Sequence, residues 1–187
     1  MIPYGSHFVD EDDVVAVVDV LRNHHLTQGK FVLKFEKMMA EYVGAKYAVA
    51  VSSWTSGLHL ACIAAGLKPG QVLITSPNTF VASSNAGLYV GAKSAFTDID
   101  CATLNMSPEK LEEMLKNNPQ IKVVIPVHFA GLSCDMEAIS KIAQKYNVTL
   151  IEDAAHALGG TYRNGQKVGS CCYSQMTGFS FPDFDSF

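Results

Sequence analysis

With 187 residues, 48% of them hydrophobic, the chain is long enough to bury one substantial core. A formal net charge of −4 leaves no basic footprint for nucleic acid, and no apolar run approaches the ~20 residues that cross a bilayer. The five cysteines show no paired CxxC spacing, so no metal site is expected, and Cys62 among apolar neighbours reads as core packing. The opening Met1-Ile-Pro-Tyr-Gly-Ser-His7 lacks the charged and apolar regions of a signal peptide, so a reducing cytoplasm is the expected setting.

Asp10-Glu-Asp-Asp13 forms an acidic first turn before Val14, Val17, Val18 and Leu21, the spacing of an amphipathic helix. After Leu26-Thr-Gln-Gly29, helical spacing resumes at Phe31, Phe35, Met38, Met39 and Tyr42, positions expected to be core, and Gly44 is the expected stop. Tyr47–Val51 reads as a short apolar strand, Thr55–Leu67 as a helix closed by Lys68-Pro-Gly70, and Val72–Thr75 as a second strand. Phe80–Tyr89 is helical, Ala95–Asp98 a strand, and Ser107 caps a helix with Pro108 at its first position. Lys122–Val127 is a strand, Met136–Tyr146 a helix, Thr149–Asp153 a strand, and Arg163-Asn-Gly-Gln166 a hairpin turn. Met176–Phe181 reads as a buried strand entering a functional turn. No linker or internal repeat interrupts this alternation. It implies an α/β fold, a mainly parallel sheet with helices on both faces, and ligands beyond the carboxyl ends of the strands.

Three stretches fall at such ends. In Ser52-Ser-Trp-Thr-Ser-Gly57, free amides and hydroxyls opening a helix suit a phosphate, and for the stretch taken alone plain N-capping by Ser or Thr is the commoner role. In Ser76-Pro-Asn-Thr-Phe80, the ring is placed either to stack on a planar cofactor or simply to pack. In Ile151-Glu-Asp-Ala-Ala-His156, a carboxylate closing an apolar strand needs a cationic partner, unless it caps a helix. His156 is either a satisfied turn histidine or a support for that carboxylate.

In order along the chain stand Ile2-Pro-Tyr4, Leu26-Thr-Gln-Gly29, Phe35-Glu36, Thr55-Ser-Gly-Leu-His-Leu60, Pro77-Asn-Thr-Phe80 and Phe96-Thr-Asp-Ile-Asp100, then Val127-His-Phe-Ala-Gly131, Glu152-Asp-Ala-Ala-His-Ala157 and Phe179-Ser-Phe181. This ordered set resembles the DegT/DnrJ/EryC1/StrS family of nucleotide-sugar aminotransferases, pyridoxal-phosphate (PLP) enzymes of the aspartate-aminotransferase fold type, fold type I. His156-Ala-Leu-Gly159, with Thr55-Ser56, is most similar to the branch making 4-amino sugars for pseudaminic acid, the UDP-4-amino-4,6-dideoxy-N-acetyl-altrosamine transaminases.

The resemblance implies that Thr55 and Ser56 bind the cofactor phosphate, with Trp54 where the family often has a small residue. It implies that Phe80 stacks on the pyridine ring and that Asp153 pairs with the ring nitrogen, whose protonation makes the ring an electron sink. His156 then supports Asp153 or the ring's 3-oxygen, and Ser180 lies near the phosphate. Tyr4, Thr27 and Gln28 are candidates for substrate contact, in a segment (residues 1–29) that approaches the active site. The implied reaction moves an amino group from an amino acid, glutamate, to a 4-keto nucleotide sugar for cell-surface polysaccharide or glycan.

In the family the Phe-Ser-Phe strand is followed by His-Pro-x-Lys, whose lysine forms the Schiff base and moves the proton. Here Pro182 and Asp185 stand at the His and Lys positions, and Lys167, beside the hairpin, is the only lysine after Asp153. An aspartate forms no imine, so PLP binding is expected to be non-covalent at most and the chain inactive in transamination. Family members are about twice as long, so a large domain truncated before its lysine, without the small C-terminal domain, is the expectation. Loss of that domain is expected to expose apolar surface. A homodimer, or a non-catalytic partner of an intact homologue, is the alternative role. A dinucleotide-binding domain fails on the missing GxGxxG after the first strand.

Overall fold

The computed structural model describes residues 8–27 and 29–181. Helix α1 (Glu11–Asn23) starts at Asp10, whose carboxylate accepts from the amides of Asp12 and Asp13 while Asp13 reaches back to the Asp10 amide. Helix α2 (Lys30–Val43) ends at Gly44, whose φ of 82° supplies the left-handed stop that a side chain resists. Both helices form where the apolar spacing places them, but the expected burial does not follow. α1 has no buried residue, and α2 fully buries Val43 alone. Phe35, Met38 and Tyr42 are exposed, because no described element covers their stripe.

The centre is a βα alternation: α3 (Trp54–Ala64), β1 (Val72–Thr75), α4 (Val81–Tyr89), β2 (Lys93–Phe96), α5 (Pro108–Asn117), β3 (Ile121–Ile125), α6 (Met136–Tyr146), β4 (Thr149–Asp153) and β5 (Met176–Gly178). The strands pair in parallel in the order β2-β1-β3-β4-β5. Order reverses between β1 and β3, so the crevice for a ligand opens at their carboxyl ends. There Thr75 Oγ1 donates to the Ile125 carbonyl at 2.9 Å.

Consecutive strand residues point to opposite faces, and both faces are covered. Leu73, Val123, Ile125 and Ile151 pack with Leu58, Cys62, Ala82 and Ala86 of α3 and α4. Ile74, Val124 and Leu150 pack with Leu111, Leu115 and Ile139 of α5 and α6. Burial pushes the Cys62 thiol up to about 11, as a core cysteine requires. No helix among the described residues is long and apolar enough to cross a membrane.

Tyr47–Val51 is not a strand. A ladder needs a neighbour ~4.8 Å away. Across from this segment stands the sheet edge β5, with a cavity of about 620 Å³ between them. Tyr47 and Val49 therefore stay 75% and 78% exposed, and the Ala50 amide bonds to Glu36 Oε1 at 2.9 Å instead. β5 itself is only partly buried. The hairpin turn forms as expected, with Tyr162 N–H donating to the Gln166 carbonyl.

Candidate functional site

Asp153 closes β4 on the face that carries α3 and α4, and its residue is 4% exposed. No cation meets it among the described residues. Trp54 Nε1–H donates to Oδ1 at 2.9 Å, and Ser83 Oγ donates to Oδ2 at 2.6 Å. The Ala155 amide adds a longer bond to Oδ1 at 3.3 Å, and Thr79 Oγ1 donates to Ser83 Oγ at 2.8 Å. The expected cationic partner is thus replaced by neutral donors in the first turns of two helices, each bond strengthened by the carboxylate charge. Ser83 and Trp54 escaped sequence reasoning as partners of Asp153. The available signal for Ser83 is one polar residue on the small, inward face of α4 formed by Ala82, Ala86 and Gly87.

At the start of α3, Ser53 is the N-cap: its Oγ accepts from the Ser56 amide at 3.2 Å. Ser52 and Ser56 hydroxyls lie 3.3 Å apart, and Ser53 and Ser56 hydroxyls 3.2 Å. Capping therefore does occur, and it leaves the amides of Trp54 and Thr55 without a partner among the described residues. Both readings of this stretch coexist: a capped helix that still offers two N–H groups and three hydroxyls to an anion. Ser180, exposed, lines the same cavity as Ser52, Ser53 and Trp54.

Phe80 immediately precedes α4, three residues before Ser83, and the residue is 73% exposed. It is not a packing residue here. His156 does not support Asp153: it is exposed and makes no hydrogen bond to it, because the chain turns away after β4 and Trp54 and Ser83 take that role. Thr27 is exposed, and Tyr4, Gln28 and Asp185 lie outside the described residues. Lys167 is half-buried, and its ammonium sits 3.5 Å from the centroid of the Tyr42 ring.

These donors fit the two ends of a phosphorylated pyridine unequally. The start of α3 suits the phosphate. Oδ1 carries both Trp54 and Ala155, Oδ2 carries Ser83, and the residue is buried, so a ring nitrogen has no open approach to Oδ1 while the Trp54 indole is seated there, and that end does not fit as it stands.

On the other face of β4 lies a second buried cluster that sequence reasoning left without a role. Glu152 Oε2 accepts from His128 Nε2–H at 2.7 Å and from Tyr162 O–H at 2.8 Å, and Thr177 Oγ1 donates to Oε1 at 3.3 Å. His128 Nδ1 accepts the Cys134 amide at 3.1 Å, which assigns the imidazole proton to Nε2. Burial and the Glu152 charge hold the Tyr162 phenol well above its ordinary range, and burial first, then Glu152, pushes the Cys134 thiol up to about 12. Adjacent acids in a strand must face opposite sides, and that signal was present in Glu152-Asp153.

Comparison with known proteins gives a consistent answer. The chain is 43% identical over 180 residues to the spore coat polysaccharide biosynthesis protein SpsC of Bacillus subtilis, covering 96% of this chain and 45% of that protein. It is 43% identical over 182 residues to a UDP-4-amino-4,6-dideoxy-N-acetyl-beta-L-altrosamine transaminase of Campylobacter jejuni, covering 97% of this chain and 47% of that one. Among solved structures it superposes on Helicobacter pylori PseC, an aminotransferase of pseudaminic acid biosynthesis, with TM-score 0.86 and 32% identity, over 96% of this chain and 47% of that one. The Streptococcus pneumoniae protein Spr1654 in its PLP form superposes with TM-score 0.90 and 29% identity, over 97% of this chain and 49% of that chain. The chain thus spans about half the length of the relatives it matches. The fold is that of the PLP-dependent aminotransferases, the expected fold type. Residues 8–184 match the DegT/DnrJ/EryC1/StrS aminotransferase family, whose members are PLP-dependent, and the chain belongs to that family.

Proposed function

We propose that this chain carries the cofactor-binding part of a PLP-dependent aminotransferase that moves an amino group from glutamate to a 4-keto nucleotide sugar, for cell-surface polysaccharide or glycan, in the cytoplasm. One observation carries the reading: a buried carboxylate at the carboxyl end of β4, bonded into the first turns of both α3 and α4, beside two amides that have no partner among the described residues. PLP supplies the electron sink for such chemistry when bound. Of the chain's own groups, the amides of Trp54 and Thr55 and the hydroxyls of Ser52 and Ser56 would hold the phosphate, Phe80 would be the residue available to the ring, and Asp153 would be the partner of its nitrogen once the indole has left. The sugar substrate is supported by the likeness to the Campylobacter transaminase.

The chain as given is expected not to form the internal imine, because Asp185 stands at the position where the family's lysine is expected and an aspartate forms none; Lys167, the other candidate, sits over the Tyr42 ring. Incubation with PLP followed by borohydride and peptide mapping is therefore expected to show no reduced adduct at the site, on Lys167, above the background on exposed lysines, while equilibrium dialysis shows PLP bound. A borohydride-stable adduct on Lys167, or turnover of glutamate with a 4-keto sugar nucleotide, contradicts this. Failure to bind PLP at all removes the cofactor assignment.

A second reading, a non-catalytic partner of an intact homologue, or a homodimer, is favoured by the uncovered apolar residues of α1 and α2, among them Val17, Leu21, Leu33 and Met38. Co-purification with a full-length homologue distinguishes it.

A further inference from the structure

We infer that Trp54 is a built-in competitor for Asp153, and that a ligand bearing a ring nitrogen gains this carboxylate only when the indole leaves it. The inference rests on the reading of Asp153 as the partner of such a nitrogen.

The indole occupies a prepared seat. It lies between Gly57 in α3 and Gly178 at the end of β5, and a Cβ on either glycine would collide with its six-membered ring. Val51 lines the seat near Gly57. Neither glycine has a positive φ, so space rather than backbone conformation is what each supplies here. From that seat Nε1 meets Oδ1 of Asp153 at 2.9 Å, in a bond spanning 99 residues of chain. Oδ2 is held by Ser83 and Oδ1 also by the Ala155 amide, so each oxygen of this buried residue has a donor.

Two consequences separate this device from simple packing. The indole N–H is a charge-assisted donor to Oδ1, which also takes the Ala155 amide and so has no acceptor site left, and a protonated ring nitrogen reaches that oxygen only in place of the indole. The seat also opens on the cavity lined by Ser52, Ser53 and Ser180, so the indole has space to move into without unfolding α3. Exchange of one charged hydrogen bond for another then sets the affinity.

The test compares two compounds, PLP and its 1-deaza counterpart in which C–H replaces the ring nitrogen. Their binding to the full chain, to Trp54→Phe and to Asp153→Ala is measured by equilibrium dialysis. Trp54→Phe keeps an aromatic ring in the seat and deletes the donor. It is expected to tighten PLP by about tenfold or more, the equivalent of one hydrogen bond to a charged group, and to leave the deaza compound unchanged. Trp54→Phe binding PLP no tighter than the unaltered chain, while Asp153→Ala weakens PLP selectively, overturns the competition and leaves the Asp153 reading intact. Equal loss of both compounds in Asp153→Ala, or no loss of either, removes that reading and the competition with it. Should Trp54→Phe fail to fold, the unaltered chain decides. Trp54 is its single tryptophan, so displacement must move the emission to longer wavelength with PLP and not with the deaza compound. An unmoved emission maximum at saturating PLP overturns the inference.

Discussion

Replacing Glu152 with alanine is expected to destabilise the fold by about 3–5 kcal/mol, the range for removing one member of a buried charged network. The carboxylate is fully buried, and its loss orphans the His128 Nε2–H and the Tyr162 O–H in a space that water does not reach. A cavity adds to the cost. Glu152→Gln behaves differently. Its carbonyl oxygen can stay between His128 and Tyr162, and its amide can donate to Thr177, so a loss of about 1 kcal/mol is expected. Urea unfolding followed by circular dichroism measures both. An alanine variant within about 1 kcal/mol of the unaltered chain contradicts this account of the network.

The second large effect concerns Gly178→Ala. The added methyl overlaps the Trp54 indole, which must leave its seat and give up Asp153. Overpacking and a lost bond to a charge together cost about 2–4 kcal/mol. The emission of the single tryptophan moves to longer wavelength as the ring enters solvent. In a Trp54→Ala background the same methyl meets a void, so it costs little and the two substitutions are strongly non-additive. Additive losses, or an unmoved emission, contradict the seat.

Much of the fold was legible because local and global signals agree in it. The bounds of β1, α6 and β4 coincide with their apolar runs, each fenced by Gly, Pro or Asn turns or by a capping Asp135. Ser107 and Pro108 opened α5 as capping chemistry requires. Tyr47–Val51 has the composition of a strand but no ladder partner, and hydrogen bonding to a neighbour is not written in a segment's own residues. The apolar stripes of α1 and α2 failed as core for the same reason: a face can be read, its cover cannot.

The site shows the same division. Asp153 was readable as a polar residue closing an apolar strand. Its partners were not, because Trp54 reaches it across 99 residues and Ser83 across 70. His156, only three residues away in sequence, does not bond to it, since the chain leaves the strand at Ala154 and turns.

The central claim is that Asp153 and the start of α3 hold the two ends of one pyridine phosphate. A crystal structure of the chain grown with PLP tests it most directly. The account predicts the phosphate on the amides of Trp54 and Thr55, the ring nitrogen within hydrogen-bond distance of an Asp153 oxygen, and the indole rotated out from between Gly57 and Gly178. PLP bound elsewhere, or bound there with Trp54 Nε1 still on Asp153, would contradict it.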